Sequence, residues 1–288
     1  MSDNISLSIS SRSNLLSLQN TSDLISNTQS KLATGLKVNS ALDDAQAYFK
    51  SQSLSNRASD LSTIKGSITQ AVNVVQAATD ALNSISSVLN QMKAIAQSAQ
   101  ASSDTGVRQT YASQFNSLRS QIDTLTQDAS YNGVNLLKSS PDSLTVTFNE
   151  TGTNTLQIVG LAATPMAGTL GITLGSADTT TTASTGWAAS VTSGNLTLTS
   201  AITFINSALS TVRTDSQTFG TNAAMLNIRS QFTSSLVNNL QGGSAQLVNA
   251  DMNQESANML ALQTRQSLGT ISLNIANQSQ QAILRLFG

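Results

Sequence analysis

Leu54, Leu61, Ile68, Val75, Leu82, Leu89 and Ala96 recur every seven residues, and Ile64, Ala71, Ala78, Ile85, Met92 and Ala99 follow three places on in each repeat. An apolar seam kept through six heptads specifies a long coiled-coil-like helix that needs helical neighbours along its length. Asp104-Thr105-Gly106 breaks the pattern. A second helix then carries Tyr111, Phe115, Leu118, Ile122, Leu125 and Ala129 in four–three steps, and its expected end lies near Asn132-Gly133. So short a connection makes the two helices antiparallel. A third seam, through Ile202, Ile205, Leu209, Val212, Phe219, Ala223, Leu226, Val237 and Leu240, starts near Ser200 and is interrupted by Ser216, Ser230 and Thr233. These three helices can bury one another. Their core is expected at Leu61, Ile68, Val75, Leu82, Leu89, Phe115, Leu118, Ile122, Leu125, Ile205, Leu209, Val212 and Leu226.

The two ends of the chain repeat the pattern with less to bury it. Gly242-Gly243 is expected to separate the third helix from a last one, which runs to Phe287 without a proline. On that last helix Val248, Met252, Met259, Leu262, Leu273, Ala276, Ile283 and Phe287 share a seam whose other places hold Glu255, Gln266, Gly269 and Gln280. A second apolar track, Leu260, Leu268, Ile271, Ile275 and Ala282, runs beside it, and Leu286 lies between the last seam residues. Two tracks on one helix call for neighbours on more than one side. Near the N-terminus Leu18, Ile25 and Leu32 are spaced by seven, with Leu15 and Leu36 nearby and Ser22 and Gln29 expected in the intervening places. Such a helix is weak alone. Ile5, Leu7 and Ile9 alternate with serines ahead of it, as a strand or a frayed helix end. Gly35 and Asn39-Ser40 mark a break, and Asp43-Asp44 suit the first turn of the next helix, where negative charge meets the helix dipole.

Between Ser139 and Leu196 the texture changes: both prolines, the only tryptophan (Trp187) and seven of the sixteen glycines lie there. Leu144–Phe148 and Leu156–Val159 read as a hairpin around a turn containing Gly152. Asp178–Thr185 is a threonine-rich tract with almost nothing to bury, expected as an exposed loop. The expected fold is mainly α: an elongated antiparallel helical bundle and coiled coil formed by both chain ends, with a β-hairpin and a small β-rich insert. Its expected domains are 1–42 with 244–288, 43–138 with 197–243, and the insert 139–196.

Composition removes most chemistry. With no histidine and no cysteine in 288 residues, the usual triads, zinc sites and disulfides cannot be built. Asp43-Asp44, and Glu150 near Asp142, are explained by helix capping and solvated loops. No phosphate-cradling loop of the form G-x-x-x-x-G-K-[ST] occurs, and Gly168-x-x-Gly171 is turn chemistry. The sequons at Asn149 and Asn195 have low specificity in so Asn/Ser/Thr-rich a chain. A net charge of −1 with 10% charged residues supplies no basic field for nucleic acid. Met1-Ser2-Asp3-Asn4 is followed by no continuous apolar core, so no cleaved signal peptide is expected, and no window is long and apolar enough to insert in a membrane. Arg265 and Arg285 make too sparse a basic face to anchor the last helix on lipid. Neutral polar groups instead let identical surfaces approach without like-charge repulsion. The expected product of this sequence is not an enzyme and uses no cofactor; it packs against copies of itself through its terminal helices, at Leu15, Leu18, Ile25, Leu32, Met259, Leu262, Leu268, Ile271, Ile275, Ile283, Leu286 and Phe287.

The residues of both ends resemble one family. Thr34-Gly35-Leu36-Lys37-Val38-Asn39-Ser40-Ala41-Leu42-Asp43-Asp44-Ala45 resembles the N-terminal signature of bacterial flagellins. Asp251–Asn258, Leu262–Gly269 and Ile283-Leu284-Arg285-Leu286-Phe287 resemble the C-terminal one, and Ser130–Leu137 is similar to the segment that closes the family's N-terminal helical pair. The opening through Gln19 is more similar to the short flagellins of alphaproteobacteria than to the enterobacterial type. The resemblance implies an extracellular filament subunit for swimming motility, secreted unfolded through the flagellar type III export apparatus. It implies partners in turn: further copies of the chain, a C-terminal-binding export chaperone, a filament cap and hook-junction proteins. The paired termini would form the inner tube, the middle helices the layer around it, and 139–196 a small outer surface. The alternatives are a hook–filament junction protein sharing the terminal helices, or a carbohydrate-binding surface adhesin using Trp187 and the threonine loop. A protease or glycosidase grafted into the insert is weakest, given the missing histidine.

Overall fold

The computed structural model describes residues 9–165, 186–187 and 191–287, with side chains described over 12–165, 186–187, 197–279 and 281–282. The described residues form α1 (Ile9–Thr34), α2 (Ala45–Ala101), α3 (Thr105–Asp128), β1 (Ser130–Tyr131), β2 (Val134–Asn135), β3 (Ser143–Thr147), β4 (Thr155–Val159), α4 (Val191–Val248) and α5 (Met252–Phe287). The fold is mainly α with small antiparallel strand pairs, as the periodicities imply. Ile5, Leu7, the 178–185 tract and Gly168–Gly171 lie outside the described residues. The chain divides into two compact units: unit 1, Met1–Ala58 with Asn238–Gly288, and unit 2, Ser59–Val237. Helices α2 and α4 contribute to both.

Unit 2 is built on α2, α3 and α4. Lys65 Nζ donates to Ser234 Oγ and Gln100 Nε2 to Thr199 Oγ1, each at 3.0 Å. Moving up α2 by thirty-five residues thus moves down α4 by the same number, and the two run antiparallel in one constant register. The α2 seam is fully buried at Ile68, Val75, Leu82, Ile85, Leu89, Met92, Ala96 and Ala99, and closes on Phe115, Ile122, Leu198, Ile205, Phe219 and Leu226 in one cluster. Between α2 and α3 the chain turns at Asp104, whose carboxylate accepts from the N–H groups of Gly106 (2.7 Å) and Val107 (3.1 Å). This satisfies two of the donors that a helix start leaves open.

Three boundaries differ from the sequence reading. Helix α3 stops at Asp128, and Asn132-Gly133 is instead the tip of a small hairpin pairing Ser130 with Asn135 and Tyr131 with Val134. Both tip residues have positive φ, 51° and 80°, which is the backbone a two-residue type I′ turn requires and which Asn-Gly supplies with little strain. Helix α4 begins at Val191, well before Ser200, because a helix already held by buried Leu198 extends for one hydrogen bond per residue added. It also runs through Gly242-Gly243 to Val248 without breaking. Two glycines cost a helix about 1 kcal/mol each, yet here α4 packs onto α2: a Cβ on Gly243 would sit 3.6 Å from Leu54 Cδ1, and Ser244 Oγ bonds the hydroxyls of Ser51 (2.9 Å) and Ser55 (2.8 Å).

Behind the first hairpin, Asn135 is a buried junction. Its Nδ2 donates to the carbonyls of Thr126 (2.8 Å) and Gln127 (2.9 Å) at the end of α3, while its Oδ1 accepts from the N–H groups of Leu137 and Lys138. Strands β3 and β4 then pair antiparallel from Ser143↔Val159 to Thr147↔Thr155 around Gly152, whose φ is 71°. The hairpin is fastened to the bundle by Arg229, whose guanidinium lies 5.1 Å from the Phe148 ring centre.

In unit 1, α1 and α5 pair antiparallel. Lys31 Nζ stands 3.8 Å from Glu255 Oε1, and Leu18 meets Gly269 further along. The connections on either side are stitched together: Leu36 bridges Asn249, Lys37 N–H donates to Val248 O at 2.7 Å, and Ala250 N–H to Gly35 O at 2.9 Å. Asp43 and Asp44 lie just before α2 instead of inside its first turn. Asp44 caps the helix by accepting from Ala47 N–H at 2.9 Å, and Asp43 Oδ2 accepts from Asn39 N–H, Ser40 N–H and Ser40 Oγ.

Candidate functional site

The terminal helix pair leaves a long apolar track uncovered. On α5 the half-buried residues are Glu255, Met259, Leu262, Gly269, Leu273 and Ala276, a four–three seam turned toward α1. Gln266, at a seam place, is exposed, and so is Met252. A Cβ on Gly269 would lie 2.7 Å from Leu18 Cδ2, so glycine is what lets the Leu18 side chain seat against α5. The second track is bare: Leu260, Leu268, Ile271 and Ile275 are 54–67% exposed, and Ala282 is exposed too. Four large apolar side chains on one face of a helix are an unpartnered surface, not scattered exceptions.

On α1 the half-buried residues Leu18, Ile25 and Leu32 alternate with buried Thr21 and Thr28, while Ser22 and Gln29 point to solvent. The intervening places are thus three residues on from each leucine or isoleucine, not four. Threonine suits them: Thr21 Oγ1 donates to Ser17 O at 2.8 Å, which satisfies its buried hydroxyl within its own helix. Leu15 is exposed. Ile283, Leu286 and Phe287 have side chains outside the described residues.

Of the expected bundle residues, Leu61, Ile68, Val75, Leu82, Leu89, Phe115, Ile122, Ile205, Leu209, Val212 and Leu226 are buried, and Leu118 and Leu125 are half-buried. On α3 part of the seam falls to residues the four–three count passed over, Arg108, Ala112 and Thr126. Trp187 is buried with its ring 4.8 Å from Phe115, so it presents no face to a sugar. Asn149, in a sequon at the hairpin tip, uses its amide on Thr151 Oγ1 and Thr153 Oγ1 (2.7 Å each) and its carbonyl oxygen on Asn154 N–H. This is turn chemistry.

Three carboxylates are perturbed. The N–H groups of Ser40 and then Asn39 hold Asp43 below the ordinary carboxylate range. Lys138, followed by the N–H of Asn135, does the same for Asp142. Burial pushes Asp215 upward; it lies on the α4 seam with no hydrogen bond to Oδ2. None of them belongs to an acidic cluster: among the described residues no group of carboxylates could hold a metal ion, and no helix is long and apolar enough to cross a membrane. Two open cavities lie among the described residues. One of about 350 Å³ in unit 1 is mostly polar, between Leu24, Thr28, Lys31, Lys37, Asn39 and Asp43. The other, about 300 Å³ in unit 2, lies between α2 (Ile64, Ser67, Gln70, Ala71, Val74), the first hairpin (Asn132, Val134) and β3 (Leu144–Thr147).

Comparison with known proteins points one way. Residues 5–141 match the bacterial flagellin N-terminal helical region, and residues 202–287 the bacterial flagellin C-terminal helical region. Flagellin FljO of Caulobacter vibrioides is 32% identical over 280 residues, covering 95% of each chain. A flagellin of Brucella melitensis is 29% identical over 284 residues, again covering 95% of both. The crystal structure of Bacillus cereus flagellin superposes loosely, with a TM-score of 0.46 and 17% identity over 58% of this chain and 88% of that one.

Proposed function

The chain belongs to the bacterial flagellin family, and from that membership we propose that its terminal helix pair is the element that drives polymerisation. As a family member it is a structural subunit that self-assembles into the flagellar filament outside the cell, and it is not an enzyme. The observation that supports the finer reading is the bare second track of α5, Leu260, Leu268, Ile271 and Ile275, on a helix whose first track already faces α1. Copies packed side by side bury it, and no like charges oppose them: Arg265 is the one cation on α5 before its last turn.

In this reading residues 1–42 with 244–288 line the filament's inner tube, 43–138 with 197–243 form the bundle around it, and 139–196 face outward. The subunit leaves the cell through the type III export apparatus. A chaperone covers the α5 track until then, and cap and hook-junction proteins meet the same helices at the filament's ends.

Seeded polymerisation of the full chain against a chain lacking Gly243–Gly288, followed by light scattering and electron microscopy, tests this. Uniform filaments from the full chain and a folded, monomeric truncation are expected. A truncation that polymerises as readily would sink the assignment to α5.

A further inference from the structure

Unit 2 carries a second apolar stripe that its own fold does not use. On α4, Met225, Ile228 and Phe232 stand at i, i+3 and i+7 on one face and are 42–66% exposed. The residues that bury α4 in the bundle, Leu226, Thr233 and Val237, lie on a different face of the same turns. Between the two faces is Arg229, and its charge is already committed to the Phe148 ring.

We propose that in the filament this stripe docks into the groove between α2 and β3 of a neighbouring copy. The inference rests on the self-assembly of the chain, which requires both halves of each contact to be present on one molecule. The groove, of about 300 Å³, has apolar walls in Ile64, Val134 and Leu144 and an uncharged rim that includes Gln70. An apolar centre within a polar, neutral rim is the anatomy of a protein interface. The groove also stands at the right height. In the register set by Lys65–Ser234, its α2 floor, residues 64–74, lies level with α4 residues 225–235, the turns that bear the stripe. Two copies side by side with parallel axes can therefore mate stripe to groove with little axial offset. A stripe meeting a groove is a heterologous contact, which leaves a free stripe at one end and a free groove at the other and so continues beyond a dimer, into an open helical array where the rotation does not close a ring.

The chain has no cysteine, so introduced thiols report only on themselves. Chains carrying Ile228→Cys and chains carrying Gln70→Cys are mixed equally, assembled, checked for filaments by electron microscopy and treated with a short bis-maleimide. Dimers on a denaturing gel are expected from the mixed filaments, and not from either chain alone or from the mixture held as monomer. Filaments without dimers overturn the contact while leaving self-assembly intact; dimers from Ile228→Cys alone overturn it in favour of stripe on stripe. Failure of the unaltered chain to polymerise refutes the assembly reading itself. Should a variant not assemble alone, Ile228→Cys is doped into an excess of unaltered chain and its maleimide labelling timed. Labelling at least about tenfold slower than in the monomer is expected, and labelling at the monomer's rate overturns the proposal.

Discussion

In unit 2 the seam residues Ile68, Val75, Leu82 and Leu89 have lost essentially all contact with water, whereas α1 and α5 of unit 1 have no buried apolar side chain among their described residues. Both regions are written in the same seven-residue pattern. The difference is in the number of neighbours. In the bundle the main seam of each helix meets a second and a third helix or a hairpin, so its burial is intramolecular and cooperative. The terminal helices have only each other, and the buried residues at their contact on α1 are two threonines. A heptad pattern says that a helix will be buried; which chain buries it is decided by how many apolar tracks the rest of the molecule can cover.

That contrast can be broken most directly at Phe115, which is 1% exposed and packed on Trp187. Phe115→Ala should cost unit 2 about 3–5 kcal/mol, the usual penalty for emptying an aromatic site in a core. A urea titration followed by Trp187, the single tryptophan, reads it. Leu268→Ala with Ile275→Ala removes comparable apolar bulk from the bare track of α5, and should change monomer stability by no more than about 0.5 kcal/mol per site while sharply reducing filament yield. If the α5 pair destabilised the monomer as much as Phe115→Ala does, the track would be part of the subunit's own core and the contrast would fail.

A smaller effect sharpens the picture of the α1–α5 contact. Gly269→Leu places a side chain where Leu18 already sits, and should cost the pair about 1–3 kcal/mol, as overpacking does. Gly269→Ala should be nearly neutral, because the half-buried Leu18 side chain can swing aside and the helix gains about 0.5–1 kcal/mol from losing a glycine. Leu18→Ala should rescue Gly269→Leu. Far-UV circular dichroism of the monomer and filament length measure the three; absence of rescue would mean that the two residues do not oppose each other.

How much of this could be read in advance depended on which physical signal was strong. The α2 seam was legible because six uninterrupted heptads leave one face available for burial. The β3–β4 hairpin was legible from alternation and Gly152. Thr21 and Thr28 were not, since polarity alone made Ser22 and Gln29 equally good seam fillers; the helix phase buries the places three residues on from Leu18 and Ile25 and leaves those four residues on exposed. Gly242-Gly243 looked like a stop, yet tertiary contact between Ser244 and the serines of α2 outweighs local propensity. Asn132-Gly133 is a hairpin signal whose strands are only two residues each, too short to stand out from the end of the α3 seam. Asn135 could not be picked out among so many asparagines, because its role is set by where the end of α3 meets the first hairpin. Of the assembly surface, the two tracks of α5 were visible in the periodicity, while the stripe on α4 emerged only when the register with α2 was known.

The smallest expected effect lies at Asp215, a buried acid inside the bundle. Its carboxyl sits on the α4 seam, buried, with Oδ2 unbonded, and burial raises its affinity for a proton. A carboxyl whose proton is held more tightly in the folded than in the unfolded state contributes stability below the unfolded value of about 3.9, and loses that contribution as pH rises through the raised folded value. At neutral pH it therefore works against the bundle. Asp142, in the same unit, has the opposite sign: lowered by Lys138, it contributes above the unfolded range and loses that contribution as pH falls. The pH profile of the unaltered protein mixes the two, but the difference between it and Asp215→Asn isolates one. Asp215→Asn should raise the urea midpoint of unit 2 at neutral pH by less than Phe115→Ala lowers it, and the gain should shrink as pH falls through the raised folded value and vanish below the unfolded value of about 3.9, where the carboxyl is protonated in both states. A gain that is the same at both pH values would mean that Asp215 carries no cost of a buried charge, and that the bundle tolerates this acid for reasons of shape.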